Sequence, residues 1–183
     1  MDWATLFKSI YDFLLGALTK QKVAGEKAIS VKIPLGSGYD RDADERRKRA
    51  VICDFAQRQV GEPYKFGVEP PLGEDWDLWD CSELYEHAYH EAGLKLPDGS
   101  QFQFDFCRPV KNPKPGDLGF LWNDKWGRIG HVACYVGNDM IVDAVGGEVG
   151  RVRIAHRSLI EDSPRFRGWR RHPDFAWPIE ERV

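Results

Sequence analysis

The chain has 183 residues, a formal net charge of −3 from 26 Lys and Arg against 29 Asp and Glu, and 42% hydrophobic residues. This composition is typical of a globular domain, and it gives no electrostatic reason to expect nucleic acid as the main partner. The sequence contains no run of 18 apolar residues, so no transmembrane helix is predicted. Its four cysteines are too few for a disulfide scaffold.

The first 20 residues carry apolar side chains at three- and four-residue spacing, among them Trp3, Phe7 and Ile10, and this pattern predicts an amphipathic helix. The apolar face of such a helix fits three placements: it could pack on the protein's own main domain, dock to a partner protein or lie on a membrane surface. Asp12 interrupts the apolar stretch, which is unlike a secretory signal peptide. We therefore expect synthesis in the cytoplasm without a signal peptide.

A polar segment at 21–41 is predicted to be a linker, and the main domain is expected at 42–175, with a short tail at 176–183. The main domain opens with a predicted helix that Gly61 ends. A second helix is predicted after Asp80, which is a candidate N-cap.

Further predicted elements complete the main domain. Glu83 stands where a capping box would place a glutamate in the second helix, and Gly93 ends that helix. The hydrophobic period then changes to two, which predicts five strands: DLGFLW, IGHVACYV, MIVDAV, RVRIA and RFRGWRR. Helices followed by antiparallel strands predict an α+β domain with its helices packed on one side of a sheet.

The four cysteines lack the clustered spacing of a metal site. Cys53 and Cys134 lie among apolar neighbours and are expected to be buried, whereas the loop position of Cys107 is uninformative. Cys81 falls in the first turn of the second predicted helix, where unpaired backbone N–H groups and the helix dipole stabilise a thiolate. Its position fits either a nucleophile or a buried cysteine that happens to begin a helix.

A nucleophilic cysteine needs a base, and the base needs an orienting group. Of the five histidines, His87 and His90 lie further along the helix of the cysteine and are expected at the surface. His156 and His172 lie in Arg-rich stretches and are expected to be solvated. His131 begins an otherwise apolar strand, where an imidazole needs hydrogen-bond partners.

Asp143 is the candidate partner of this histidine. If 137–139 form a three-residue hairpin loop, Val136 faces Met140, and His131 lies diagonally beside Asp143 on the same face of the sheet. Asp143 would then accept the Nδ1–H of His131 and leave Nε2 to take a proton from Cys81. A structural buried polar pair is the alternative.

Four motifs occur in order: GEPYKFG at 61–67, DCSEL at 80–84, PGDLGFL at 115–121 and GHVACYVG at 130–137. Together they resemble the NlpC-type cysteine peptidases, a papain-like group that cleaves peptidoglycan stem peptides. The resemblance implies a papain-like α+β fold with the nucleophile at a helix N-terminus. It also implies Cys81 as nucleophile, His131 as general base and then acid, and Asp143 as the third catalytic residue.

The same resemblance implies roles around the cleft. Tyr64 matches the tyrosine that lies beside the nucleophile and helps the substrate or the oxyanion, and Asp80 and Ser82 match positions near the substrate amine. Three departures affect the site. The third catalytic residue is more often His, Asn or Gln than Asp, and the family has glycine where this chain has Glu83 and Val68. The segment VEPPLGEDWDLW before Asp80 is also longer than is usual in the family. Four tryptophans are candidates for the groove wall: Trp76, Trp79, Trp122 and Trp126.

The expected activity is hydrolysis of an amide bond in a peptidoglycan stem peptide, the family's usual bond joining the side-chain carboxyl of D-glutamate to the following diamino acid. No metal or organic cofactor is implied. An acyltransferase on the same fold and a non-enzymatic assembly or wall-binding protein remain as alternatives.

Without a signal peptide, delivery to the cell wall or periplasm would depend on a phage tail or lysis system or on a secretion machine, and the first helix could dock to such a structure. A phage-associated enzyme is the favoured interpretation.

Overall fold

The computed structural model describes residues 40–176. The predicted helix at 1–20, the predicted linker up to residue 39 and the tail from residue 177 lie outside the described residues. Arg41 belongs to the first described helix, whose N-cap Asp40 accepts hydrogen bonds from the backbone N–H groups of Asp42 and Ala43. Within the described residues, no helix is long and apolar enough to cross a bilayer.

Helices precede most of the strands along the chain, as the change of hydrophobic period predicts. In chain order the elements are α1 (Arg41–Arg58), α2 (Glu83–Glu91), α3 (Ser100–Phe106), β1 (Arg108–Val110), β2 (Leu118–Asn123), β3 (Arg128–Gly137), β4 (Met140–Val145), β5 (Arg151–His156), α4 (Ser158–Glu161) and β6 (Phe166–Arg171).

The six strands form one antiparallel sheet in the order β1-β6-β2-β3-β4-β5. The predicted α+β class is therefore confirmed, and all five predicted strands are present. β1, α3 and α4 were not predicted, because each is shorter than the window in which a period can be recognised. In α3 the alternation of Phe102, Phe104 and Phe106 is even closer to a strand pattern than to a helical one.

The main core lies between the first helices and the sheet. Apolar residues of α1 and α2, including Ile52, Leu84 and Ala88, pack in one buried cluster with Phe120 and Val132 of the central strands. A smaller cluster is built from alternate strand residues and the short helix α4: Val110, Ala133, Ile141, Ile160 and Trp169. Packing of this kind supplies most of the helical stability and fixes the start of α2 against the sheet.

The PGDL motif anchors the sheet to the first helix. The fully buried Asp117 accepts hydrogen bonds from Arg49 of α1 at 2.9 Å and from Arg171 of β6 at 2.7 Å. Gly116 adopts a φ of +86°, and a Cβ there would lie 3.6 Å from the backbone of Arg49. The motif therefore holds β2 in place beside β3, the strand that carries His131.

The β3–β4 hairpin differs from its prediction in two ways that compensate. Its loop has two residues, Asn138 and Asp139, with φ angles of 51° and 57°, as in a type I′ turn. Gly137, rather than Val136, pairs with Met140, and the register shifts between Tyr135 and Gly137. The bulge adds the residue that the shorter loop removes, so the pairing of Tyr135 with Ile141 follows the predicted register.

Candidate active site

The start of α2 is organised by Asp80. Its Oδ1 accepts the backbone N–H groups of Ser82 at 2.8 Å and Glu83 at 2.9 Å, and also the Ser82 hydroxyl at 3.0 Å. Its Oδ2 accepts the N–H of Gly67 at 3.3 Å, which ties the preceding loop to the helix. The predicted capping role of Asp80 is thus confirmed, and Cys81 lies within the turn that this carboxylate holds.

The predicted capping box is wrong. In a capping box the Glu83 side chain would turn back to the backbone N–H of Asp80, but its carboxyl group is instead hydrogen-bonded to Asp98. Burial of Glu83, followed by this bond and the nearby Glu86, raises the pKa of Glu83 to about 9. Near neutral pH Glu83 is therefore a neutral carboxylic acid that can donate its proton to Asp98.

His131 and Asp143 meet as predicted, but through the other ring nitrogen. Nε2 of His131 lies 2.9 Å from Oδ2 of Asp143, which leaves Nδ1 as the ring nitrogen for the thiol. The predicted Nδ1 contact with Asp143 is therefore wrong. The ring orientation depends on the approach of Cys81 from α2, and strand register alone does not specify it.

Cys81 lies close enough to His131 to raise the pKa of that imidazole, so the structure brings together side chains from the turn that leads into α2, from β3 and from β4. Burial would lower the pKa of His131, but its bond to Asp143 and its interaction with the nearby Cys81 outweigh burial and raise the pKa to about 10. His131 is therefore an imidazolium near neutral pH. A cation beside a cysteine stabilises its thiolate, which is the nucleophilic form.

Arg153 of β5 completes the surroundings of Asp143, and sequence reasoning missed it. It stands directly opposite Asp143 in the β4–β5 pairing, with Nε 2.9 Å from Oδ1 and Nη2 3.3 Å from Oδ2. Burial raises the pKa of Asp143, but the bonds from His131 and Arg153 outweigh it, so the net shift is downward. The alternation in RVRIA places Arg153 on one face of a strand, but the sequence does not show which residue of β4 faces it.

Tyr64 lies close to the same cysteine. A short parallel bridge joins Tyr64 to Trp79, supported by a bond from the N–H of Lys65 to the Trp79 carbonyl at 2.9 Å. Burial, followed by the neighbouring Cys81 and Asp80, raises the pKa of the Tyr64 phenol. Tyr64 is therefore a neutral hydrogen-bond donor beside the thiol.

A cavity of about 270 Å³ opens at Cys81, and Asp80 and Ser82 also line it. The Ser82 hydroxyl is bonded to Asp80, so both predicted cleft residues lie at the cavity within one hydrogen-bonded unit. A second cavity of about 420 Å³ opens beside His131, and Gly130 lines both. The cleft therefore continues on both sides of the candidate catalytic residues.

Two of the four candidate tryptophans line these cavities. Trp126 lies on the cysteine side, 5.4 Å from the Phe66 ring between centroids, and Trp122 lies on the histidine side. Trp79 is buried in the core, where its ring packs against Phe55, so its assignment to the groove wall is wrong. Trp76 is not among the residues that line either cavity.

Two histidines that were expected to be solvated are buried. Nε2 of His87 lies 3.1 Å from the Pro70 carbonyl, and Nε2 of His172 lies 3.0 Å from the Lys95 carbonyl. Burial lowers the pKa of both imidazoles, so each is held as a neutral structural group. Their carbonyl partners come from distant segments, which residue spacing along a helix or strand does not reveal.

The other cysteines differ from Cys81 in their surroundings. All four are free thiols, and Cys53, Cys107 and Cys134 are buried away from the cleft. Burial and the nearby Asp117 raise the pKa of Cys107 to about 12.

The fold and this side-chain geometry together define a papain-like α+β protein with a cysteine, a histidine and a carboxylate at one cleft. A model of the NlpC/P60 family matches residues 61–168, which include all six predicted site residues. The chain belongs to the NlpC/P60 family.

Similar proteins include both enzymes and a binding domain. A probable endopeptidase of Mycobacterium tuberculosis is 32% identical over 111 residues, covering 60% of this chain and 24% of that protein. The chain therefore matches about a quarter of that relative's length. The M. tuberculosis peptidoglycan hydrolase RipB has a TM-score of 0.56 and 23% identity, covering 91% of this chain and 79% of that one.

RipD of the same organism is described as a non-catalytic domain adapted to peptidoglycan binding. It has a TM-score of 0.54 and 23% identity, covering 69% of this chain and 97% of that one. The fold alone thus accompanies both catalysis and binding, and the side chains at the cleft must distinguish them.

Proposed function

We propose that this chain is a cysteine endopeptidase or amidase that hydrolyses an amide bond in peptidoglycan stem peptides. One observation carries the proposal: Cys81, in the capped turn that leads into α2, lies beside His131, and the buried Asp143 holds Nε2 of that histidine at 2.9 Å. A domain that only binds its ligand has no need of a nucleophile, a base and an orienting carboxylate in this order.

The chemistry follows from the positions of these groups. The Cys81 thiolate attacks the amide carbon, and the carbonyl electron pair moves to oxygen. When the tetrahedral intermediate collapses, the C–N bond breaks and His131 gives its Nδ1 proton to the leaving amine. His131 then takes a proton from water as that water attacks the thioester, and breaking of the C–S bond releases the carboxylic acid and returns the Cys81 thiolate beside protonated His131.

Two donors support the developing oxyanion in this scheme. The backbone N–H of Cys81 lies at the positive end of α2, and the neutral Tyr64 phenol is near enough to Cys81 for the two groups to interact electrostatically. Asp80 and Ser82 would face the substrate amine from the cysteine-side cavity, whereas the bond between D-glutamate and the diamino acid would span the two cavities. Acidic and aromatic side chains at the cleft suit a peptide with a free amine.

The names of the relatives support the same activity, since one is called a probable endopeptidase and RipB a peptidoglycan hydrolase. Docking to a phage tail or secretion machine, and delivery to the wall by that route, stay predictions.

The test is digestion of purified sacculi and of defined muropeptides by the wild type and by Cys81→Ala, with fragments identified by mass. We expect Cys81→Ala to abolish release of peptide fragments, and Cys107→Ala, a buried thiol outside the cleft, to retain it. Equal digestion by the wild type and Cys81→Ala would refute the proposal, as would a wild type that binds sacculi without cutting them.

A cheaper measurement follows the thiols themselves. Iodoacetamide at pH 6 is expected to label Cys81 selectively, as located by peptide mass mapping, and labelling of several cysteines or of none would count against an activated Cys81. Adding an amine acceptor separates hydrolysis from acyl transfer, because an acyltransferase would yield the amide of that amine instead of the free acid.

A further inference from the structure

Asp143 is held by two cationic side chains at once. The carboxylate is fully buried, and its oxygens accept three N–H groups: Nε2 of His131 and both Nε and Nη2 of Arg153, at 2.9, 2.9 and 3.3 Å. The Arg153 side chain is itself 30% exposed, so one end of the guanidinium reaches solvent while the other faces the carboxylate. The two cations have different chemistry, because only His131 can lose its proton.

This difference matters during the proposed reaction. When His131 gives its proton to the leaving amine, it stops compensating the charge of Asp143. If His131 were the sole cation beside Asp143, loss of its proton would leave a buried carboxylate without a cationic partner. That state is strongly unfavourable, so the proton transfer from His131 would be opposed. Arg153 stays charged throughout, because guanidinium does not deprotonate in proteins.

We propose that Arg153 is a positioning residue of this site: it fixes Asp143 toward His131 and shares its negative charge, so that His131 can release its proton. The part of the proposal that concerns turnover rests on the proposed function. Its electrostatic part concerns the resting protein and stands apart from any substrate.

The titratable and charged groups around His131 of β3 come from other parts of the fold. Cys81 lies in the turn before α2 and the buried phenol of Tyr85 belongs to α2, whereas Asp143 belongs to β4 and Arg153 reaches across from β5. Of these groups, Arg153 is the permanent cation. Replacing it by a neutral side chain leaves His131 as the cation that compensates Asp143, which strengthens the hold of Asp143 on the imidazolium proton.

The test compares Arg153→Met, Arg153→Lys and the control Arg151→Met in the full chain. Arg151 is two residues earlier on β5, and its Nε donates to the Val149 carbonyl. Histidine ring carbons are followed by NMR as pH rises, with His131→Gln used to assign the His131 signal among the five histidines. Arg153→Met is expected to move the His131 titration upward by about one pH unit, Arg153→Lys to restore most of the shift, and Arg151→Met to leave it in place.

Muropeptide hydrolysis is measured on the same proteins. Arg153→Met is expected to lower kcat about tenfold with KM unchanged, because proton delivery is slowed and substrate contacts are kept. A His131 titration that stays in place or moves downward in folded Arg153→Met overturns the inference, even if the wild type is an active hydrolase. An upward shift in a protein that never cuts peptidoglycan supports the charge sharing and refutes the proposed function instead.

Discussion

Replacing Asp143 by asparagine removes one acceptor from a site where three N–H groups already share two carboxylate oxygens. An asparagine amide has a single oxygen, so its nitrogen must face either Arg153 or His131. Because Arg153 is a permanent cation, we expect the oxygen to face Arg153 and the NH₂ group to face Nε2 of His131. Nε2 then accepts, and the ring proton moves to Nδ1, the nitrogen nearest Cys81.

The magnitude follows from two losses. A hydrogen bond between charged groups is worth about 1.5–3 kcal/mol, which corresponds to a roughly 10- to 150-fold fall in rate. The wrong tautomer also prevents His131 from accepting the Cys81 proton, and the comparable change in a serine-protease triad costs about 10⁴-fold in kcat. We therefore expect Asp143→Asn to lower kcat by about 10³- to 10⁴-fold.

A second substitution makes the prediction specific. In Asp143→Asn/Arg153→Met the amide can turn its oxygen to Nε2 of His131, because the competing cation is gone. The double variant is expected to recover about tenfold or more over Asp143→Asn, although Arg153→Met alone lowers kcat. The sign of the effect of Arg153→Met thus depends on the residue at position 143.

The assay is the initial rate of muropeptide cleavage, with circular dichroism and thermal unfolding to show that each variant is folded. Asp139→Asn is the matched control: Asp139 lies at the tip of the same hairpin, 57% exposed, and pairs with Arg157 at 3.1 Å. Its rate should equal that of the wild type. A folded Asp143→Asn with wild-type activity, or a double variant no faster than Asp143→Asn, would refute the reasoning.

Two further predictions concern the cleft. Burial and the bond to Asp98 raise the pKa of Glu83 to about 9 from an ordinary 4.5. Between these two pH values the folded chain holds a proton that the unfolded chain has lost. The free energy of unfolding therefore falls as pH rises from 4.5 to about 9. Glu83→Gln, which does not ionise, is expected to raise Tm by about 3 °C at pH 8 and by less at pH 5; equal changes at both pH values would contradict this. A Cβ at Gly130 would lie 2.5 Å from Cβ of Asn123 and 3.1 Å from Trp126. Gly130→Ala is therefore expected to lower the free energy of unfolding in urea by about 1–3 kcal/mol and to reduce cleavage. Unchanged stability would contradict this and show that the strand shifts freely.

The elements that the sequence predicted well are those whose own residues set the pattern. Helix α1 has an acidic start, and the central strands β2 and β3 are six and ten residues long. The contact of His131 with Asp143 was predictable because only a short turn separates their strands, and an error in loop length was compensated by a bulge. Asp80 was recognised as a cap because its bonds reach only two or three residues along the chain.

The errors fall where partners come from distant segments. Glu83 was expected to turn back to its own helix, but it meets Asp98. His87 was expected at the surface, but the loop before α2 covers it and supplies the Pro70 carbonyl. Trp79 was a groove candidate, although α1 and the loop around Tyr64 enclose it. In each case a side chain's neighbours depend on how separate elements pack.

Local periodicity, short turns and the order of four motifs were enough to predict the α+β class and to select Cys81, His131 and Asp143. Tertiary structure decided which nitrogen of His131 faces the thiol and that Arg153 shares the carboxylate. The physical reason is range: capping bonds and hairpin contacts join residues a few positions apart, so residue spacing predicts them. The approach of α2 to β3 is fixed by packing of the whole core, and the pairing of Arg153 with Asp143 by the register of a separate strand.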